Sequence, residues 1–362
     1  MSALAPPLGL IAELTHRCPL QCAYCSNPLA MDAPKSELST EDWCRVLDEA
    51  AAIGILQVHF SGGEPMARRD LRDLVAHASR AGLYTNIITS GVLLSDAAMA
   101  DLLAAGIDHI QLSFQDAQAE RADHLGGYKG GHGKKLDAAR RIREAGLPLT
   151  ANFVIHRQNI ERVEAMIALG EELGAERIEV AHTQYYGWAL LNRDALLPSR
   201  AQLDHVNGVV AAARERLKGN IVIDYVVPDY HAARPKACMG GWGRWFINIS
   251  PSGKALPCHA AETLPGFTFP SVREQGLAAT WADSDVFARF RGTDWMPEPC
   301  RGCDQREIDW GGCRCQALAL VGDAARTDPA CHRSSDHALM QEAVAAAAHA
   351  PLDLVPRRLH QG

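Results

Sequence analysis

Cysteine is the residue whose number and spacing in this chain could do chemistry. Eleven occur in 362 residues: a C-x3-C-x2-C triplet at Cys18, Cys22 and Cys25, a lone Cys44, and seven more between Cys238 and Cys331. Thiolates at such spacing hold iron–sulfur clusters, and a cubane [4Fe–4S] cluster takes four ligands. A set of three therefore leaves one iron open to a further ligand. Zinc is the alternative, but no fourth Cys or His follows the triplet at finger-like spacing. In the later set, Cys300-x2-Cys303 by itself would also suit a structural zinc module serving as a docking or nucleic-acid platform.

The elements that must position the triplet alternate between strand-like and helix-like patterns across residues 1–225. Strands are predicted at Leu10–Thr15, Gln57–Phe60, Tyr84–Thr89, His109–Ser113, Thr150–Val154 and Arg177–Val180. Helical periodicity between them covers Glu41–Ala52, Leu71–Ala81, Asp96–Ala105, Lys135–Ala145 and Ile160–Leu173. This alternation implies an α/β domain with a parallel sheet and right-handed crossovers. Periodicity leaves open whether that sheet is a partial barrel, a complete one, or doubly wound. The run Gly126–Gly133 has Tyr128 where a phosphate-binding loop needs glycine and Lys135 where it needs Ser or Thr, so it reads as a flexible loop.

Residues 226–312 change character, becoming rich in Gly, Pro, Trp and Cys with little helical periodicity. A segment of that kind buries too little apolar surface alone, and metal would stabilise it. The second domain is placed at 226–345. An Ala-rich helix at His337–Ala350 leads into a Pro/Arg tail, 346–362, expected to fray.

Composition narrows the partners. With 36 Lys+Arg against 43 Asp+Glu the formal net charge is −7, which offers no surface for nucleic-acid phosphates. The 47% hydrophobic content suffices for a core, and no apolar run reaches membrane-spanning length. The N-terminus lacks the basic segment of a signal peptide. A cytoplasmic location is expected, where thiols stay reduced and cysteine-rich sequence points to metal rather than disulfides.

A second motif converts the triplet into a family resemblance. Ser61-Gly62-Gly63-Glu64-Pro65 follows the second strand, as C-x3-C-x-aromatic-C follows the first. The pair resembles the radical S-adenosylmethionine (SAM) superfamily. The resemblance implies a partial (β/α)6 barrel and a [4Fe–4S] cluster on Cys18, Cys22 and Cys25. It further implies that the open iron chelates the amino and carboxylate groups of SAM, whose cleavage yields methionine and a 5′-deoxyadenosyl radical. It places Tyr24 near the adenine, Gly62, Gly63, Glu64 and Pro65 at the amino group, and Ser113 and Asn152 in contact with SAM. Read alone, polar residues at strand ends are commonly caps, and Thr89-Ser90-Gly91 reads as a simple turn.

The later cysteines resemble the SPASM extension of that superfamily, which carries two auxiliary iron–sulfur clusters. Its pattern is C-x(9–15)-G-x4-C, then C-x2-C-x5-C-x3-C, then a final C. Cys238-x14-Gly253-x4-Cys258 fits the first part. In the second, Asp309 stands five residues beyond Cys303 where the pattern has cysteine, and Cys313 follows in register. The resemblance implies one auxiliary cluster on Cys238, Cys258 and Cys313, with Cys315 the natural fourth ligand. The other falls to Cys300, Cys303, Asp309 and Cys331. Only Cys44 is left over, a small core residue within Glu41–Ala52.

Four stretches, 12–29, 59–65, 111–116 and 184–189, resemble one family more closely, that of coenzyme PQQ synthesis protein E, the PqqA peptide cyclases. Members act on a ribosomal precursor peptide, PqqA, bound with a chaperone, PqqD. They join the γ-carbon of a Glu to the Tyr ring carbon ortho to the hydroxyl, an early step toward pyrroloquinoline quinone. A reductase or flavodoxin-like protein would supply electrons. A γ-C–H bond is too unreactive for acid–base catalysis, which accounts for a radical cofactor. Rearomatisation sheds a proton and an electron, and an auxiliary cluster could accept the electron. His182, Tyr185 and Tyr186, after the sixth strand, are candidates for taking the proton. The alternatives are another SPASM peptide modifier, sulfatase-maturing or thioether-forming, and a non-enzymatic zinc-stabilised interaction module.

Overall fold

Apolar residues at every second position make a strand two-faced, and that alternation sets the architecture here. The computed structural model describes residues 4–227 and 229–358; the last four residues of the expected tail lie outside the described residues. Its first six strands are β1 (Gly9–Thr15), β2 (Gln57–Gly62), β3 (Tyr84–Thr89), β4 (His109–Phe114), β5 (Leu149–Ile155) and β6 (Arg177–His182). One face of this sheet, including Leu10, Val58, Phe60, Ile87, Leu112, Phe114, Phe153 and Val180, is wholly buried. It packs against Trp43 and Leu47 of the helix Thr40–Ala52, Leu74 of Leu71–Arg80, Ile142 of Gly131–Glu144 and Met166 of Val163–Glu172. The alternate residues are largely polar and line the inside of the sheet. Gln57, His59, Asn86, Gln111 and Glu179 surround a cavity of about 1070 Å³ at one mouth. Ser61, Thr89 and Ser113 border another at the opposite mouth.

All six strands run parallel with each paired to its chain neighbour, and the full order is β7-β6-β5-β4-β3-β2-β1-β8-β9. β7 (Val222–Val226) extends the sheet beyond β6. β8 (Phe246–Ile249) pairs with β1 from its other side, Gly9 opposite Phe246, and β9 (Ala255–Leu256) returns antiparallel to it. Among the described residues β1 and β6 do not pair, so the barrel stays open. The fold is a partial (β/α)6 barrel continued by a Cys-rich segment whose first strand joins the same sheet. No helix among the described residues is long and apolar enough to cross a membrane.

Each expected strand is present, and their observed ends differ from the expected ones by two residues at most. Helix starts follow their caps: Ser39 and Asp42 form a capping box, as do Ser199 and Gln202. The helix Arg200–Arg216 was not anticipated. Two expectations are corrected. The glycine-rich run is ordered: its Gly131–Gly133 portion opens the helix Gly131–Glu144, because the Asp123 carboxylate accepts the backbone N–H groups of Gly130 and His132 (2.8 Å for the latter). The described part of the tail, through residue 358, is also pinned rather than frayed. Leu352 O accepts from Gln158 Nε2 (2.8 Å), and Val355 exchanges hydrogen bonds with the Asn192 amide (2.7 and 2.8 Å). Side chains of the barrel satisfy the tail's backbone groups, which sequence periodicity does not register.

Candidate cluster and cofactor sites

The loop following β1 carries Cys18, Cys22 and Cys25 to the carboxyl ends of the parallel strands, where open α/β sheets take their ligands. There they line a cavity of about 340 Å³ together with Tyr24, Gly62, Gly63, Ser113, Gln115, His182 and His259. Close packing of two backbones creates this arrangement. Gly63 N donates to Thr15 O (2.6 Å) and Glu64 N to Arg17 O (2.8 Å). A Cβ on Gly63 would stand 2.5 Å from Arg17 O, and one on Gly62, whose φ is +122°, 2.4 Å from Thr15 O. Any side chain at either position would push the cysteine loop away from β2.

Glu64 and Pro65 do not line the cavity. The buried Glu64 carboxylate instead accepts from Thr89 Oγ1 (2.6 Å), Ser90 N (2.8 Å), Ser90 Oγ and Met66 N (3.1 Å). It thereby ties the end of β3 to the GGEP segment, and Thr89-Ser90-Gly91 is its donor set rather than an isolated turn. Ser113 borders the cavity, whereas Asn152, its neighbour across the β4–β5 ladder, does not. Asn152 Oδ1 is buried without a hydrogen-bond partner. The Tyr24 ring stacks at a tilt on His156, centroids 5.4 Å apart, and burial pushes its phenol well above the usual range.

Burial also raises the thiols, Cys18 to about 12, with Glu64 and Cys22 adding to it. Cys22 and Cys25 move the same way, burial being the main cause. Metal ligation requires deprotonated sulfur, so loading iron here releases protons. Three such sulfurs from one loop, facing a cavity, fit a cluster with one iron left open. Sequence reasoning missed Lys135, whose ammonium donates to Ser113 O (2.6 Å) in the wall behind that cavity. Burial lowers its pKa to about 8, although Cys22 and Glu64 oppose the shift. Lys135 opens the predicted helix Lys135–Ala145, and periodicity alone does not tell that its ammonium turns inward to Ser113.

The second cysteine group assembles as two clusters of side chains. Cys238 touches Cys258 and Cys313, and Cys315 touches the same two, so the four sulfurs form a closed ring of contacts. Trp242, Leu256, Leu264 and Phe290 pack around them. Gly253, with φ +94°, turns the chain between β8 and β9 and delivers Cys258 just beyond β9. Cys300, Cys303, Asp309 and Cys331 meet separately, lining one pocket with Arg306 and Arg333. Arg333 Nη1 donates to Cys303 Sγ (3.1 Å), and Asp309 Oδ1 accepts from Gly311 N (2.9 Å). No set of three His, Cys, Asp or Glu among the described residues closes around a single-ion position. Cys44 packs half-buried against the main core.

The three candidates beyond β6 part company. His182 lines the cavity; burial lowers its pKa to about 3, and its Nδ1 has no partner. Tyr185 is buried against Tyr230, centroids 5.0 Å apart, away from the cavity. Tyr186 reaches the inner cysteine ring, its hydroxyl 3.0 Å from Cys313 Sγ, and its ring meets His259 edge-on at 6.0 Å.

Comparison with known proteins gives this geometry a family. Residues 12–170 match the Radical SAM superfamily, and residues 238–304 match an iron–sulfur cluster-binding domain, SPASM. Together the two matches bring iron–sulfur clusters, and the first brings SAM binding. The PqqA peptide cyclase of Granulibacter bethesdensis is 64% identical over 359 residues, covering 99% of this chain and 96% of that protein. That of Gluconobacter oxydans is 58% identical, covering 95% and 96%. The fold is similar to that of Streptococcus suis SuiB bound to S-adenosylmethionine (TM-score 0.74, 21% identity, 92% of this chain and 77% of that one). It is also similar to anSMEcpe with bound AdoMet (TM-score 0.65, 14% identity, 94% and 97%). Near-full-length identity at this level, on a sheet that gathers the triplet and the glycines into one cavity, shows that the chain belongs to the PqqA peptide cyclase family of radical SAM enzymes.

Proposed function

We propose that this enzyme links a Glu γ-carbon to a Tyr ring carbon within the PqqA precursor peptide, an early step of pyrroloquinoline quinone synthesis in the cytoplasm. The observation that carries the reading is the single cavity shared by Cys18, Cys22, Cys25, Gly62, Gly63 and Ser113, in a chain so close to the PqqA cyclases. Residues 1–225 form the SAM domain, 226–345 the SPASM domain and 346–362 the tail.

In this reading Cys18, Cys22 and Cys25 hold the SAM-binding [4Fe–4S] cluster. Cys238, Cys258, Cys313 and Cys315 hold one auxiliary cluster, and Cys300, Cys303, Asp309 and Cys331 the other. When bound, the first cluster and SAM supply a radical able to take hydrogen from an unactivated carbon. Tyr24 lies against the adenine, and Gly62, Gly63 and Ser113, which line the cavity, offer polar groups to the rest of SAM; Asn152, beside Ser113 on β5 with its Oδ1 unpartnered, joins them only by turning toward the cavity. Glu64 keeps the glycines in place through Thr89 and Ser90. Lys135 holds the Ser113 carbonyl in place from behind the cavity wall, so that the polar groups around it keep their positions. His182, neutral in its buried setting, lines the same cavity.

The net reaction removes one hydrogen atom from Glu, and one proton and one electron from the Tyr ring. His259 lines the cavity and meets Tyr186, whose hydroxyl reaches Cys313, and this contact path favours the cluster on that cysteine ring as the electron acceptor. PqqD presents the peptide, because positioning decides whether the radical meets its target. A reductase or flavodoxin-like donor reduces the cluster.

The test is an anaerobic incubation of reconstituted enzyme with SAM, reductant, PqqA and PqqD. A peptide lighter by two hydrogens, with fragmentation joining Glu to Tyr, is expected. A thioether or formylglycine product from another peptide, and none from PqqA, would favour a different SPASM modifier. Colourless protein carrying zinc would defeat both.

A further inference from the structure

Arg357 is a buried cation that the site described so far leaves unused. The tail carrying it is exposed at Leu352, Val355 and Pro356, yet Arg357 itself is only 2% exposed. Its backbone N–H donates to Gln21 O (3.1 Å), and its carbonyl accepts from Gln21 Nε2 (3.3 Å). The tail is thus paired with the middle of the cysteine loop. Asn192 fastens both partners, since its Nδ2 donates to Ala23 O (2.9 Å) as well as Val355 O (2.8 Å).

The guanidinium ends in the cavity that Cys18, Cys22 and Cys25 line. Its Nη2 donates to His16 O, and its Nη1 approaches Arg358 O at 3.4 Å. Its Nε is buried without a hydrogen-bond partner. Among the described residues no carboxylate pairs with it. A buried charge without a counter-ion is unfavourable, so this placement calls for negative charge nearby. The three sulfurs are the groups positioned to carry it. Burial dominates and raises all three thiols, while Arg357 acts on each in the opposite direction.

Resting on the assignment of the triplet as cluster ligands, we propose that Arg357 is a positioning residue holding a permanent positive charge against that cluster, which raises its reduction potential. The C-terminal tail is the strap that delivers it. Cluster potentials follow net charge, hydrogen bonds to sulfur and solvent exposure. A fixed cation favours the reduced, more negative state. The reductive step then depends on a residue at the far end of the chain from the cysteines.

The test is a potentiometric titration of reconstituted full-length enzyme, following the electron paramagnetic resonance signal that changes when SAM is added. Arg357→Gln should move its midpoint to more negative potential, and Arg357→Lys should hold it near the wild-type value. An unshifted Arg357→Gln midpoint overturns the proposal. So does an Arg357→Lys midpoint displaced as far as that of Arg357→Gln, since packing rather than charge would then be at work. If Arg357→Gln loses the cluster's iron while Arg357→Lys keeps it with a wild-type midpoint, the charge requirement stands. If both lose it, the residue serves packing and the proposal fails. A wild-type enzyme with no SAM-sensitive signal would instead defeat the assignment of the triplet, and the proposal with it.

Discussion

The Tyr186 hydroxyl lies 3.0 Å from Cys313 Sγ, joining the segment that follows the last barrel strand to the inner ring of auxiliary cysteines. Once Cys313 is a thiolate, that hydroxyl is a hydrogen-bond donor to charged sulfur. Such a bond contributes about 1.5–3 kcal/mol, and hydrogen bonds to ligand sulfur tune cluster potentials. Tyr186→Phe should leave SAM cleavage without peptide intact but slow cross-link formation about tenfold. It should also shift the potential of the inner auxiliary cluster downward. Comparing deoxyadenosine with cross-linked peptide in one assay checks this, and equal rates of both would remove Tyr186 from the electron path.

Asp309 shares its pocket with Cys300, Cys303 and Cys331. Asp309→Ala should lose or alter one auxiliary cluster while SAM cleavage by the separate first site survives. Asp309→Cys should keep the cluster with a changed spectrum. Iron content and paramagnetic resonance signals decide the matter, and wild-type values for both variants would leave Asp309 an ordinary loop carboxylate.

Lys135 is nearly wholly buried behind Ser113. Lys135→Met should weaken SAM binding roughly tenfold to a hundredfold, the loss of about 1.5–3 kcal/mol expected for one charge-assisted hydrogen bond. Equilibrium binding of SAM to cluster-loaded enzyme measures it. An unchanged dissociation constant, with normal iron content, would assign Lys135 to packing alone.

Much of this was legible because it is local. Strand positions follow period-two alternation, and the triplet and GGEP segment are contiguous residues set at the ends of β1 and β2. Asp309 was found by register alone, and its meeting with Cys300, Cys303 and the more distant Cys331 is consistent with that reading. What escaped is long-range. Arg357 lies 336 residues from Gln21, and β8 pairs with β1 across more than half the chain. Neither separation leaves a periodic trace. Glu64 has a structural part that sequence does not display: its two oxygens are engaged by Thr89, Ser90 and Met66, residues that only the fold brings to the glycine segment.

Buried histidines give the fold a pH dependence of definite sign. Burial lowers His59 to about 4 and His156 to about 3. Below about pH 6.5 the unfolded chain protonates these rings and the folded chain does not, so their contribution is complete above pH 6.5 and falls as pH drops. Between pH 7.5 and 5.5 each should remove about 1 kcal/mol. Glu13, raised to about 8 mainly by burial, works in the opposite direction over the same range. The informative quantity is therefore the difference between His59→Gln and wild type. Relative to wild type, the variant's urea midpoint should improve steadily as pH falls from 7.5 to 5.5, and a pH-independent difference would contradict the assignment.

The most direct test of the central claim follows one atom. PqqA carrying deuterium at the γ-carbon of the reacting Glu is incubated with reduced enzyme, SAM and PqqD, and the deoxyadenosine is analysed by mass spectrometry. The account predicts one deuterium in deoxyadenosine for each cross-link formed, with deuterium on the Tyr ring leaving to solvent instead. Label transfer from the Tyr ring, or cross-linked peptide accompanied by unlabelled deoxyadenosine, would contradict it.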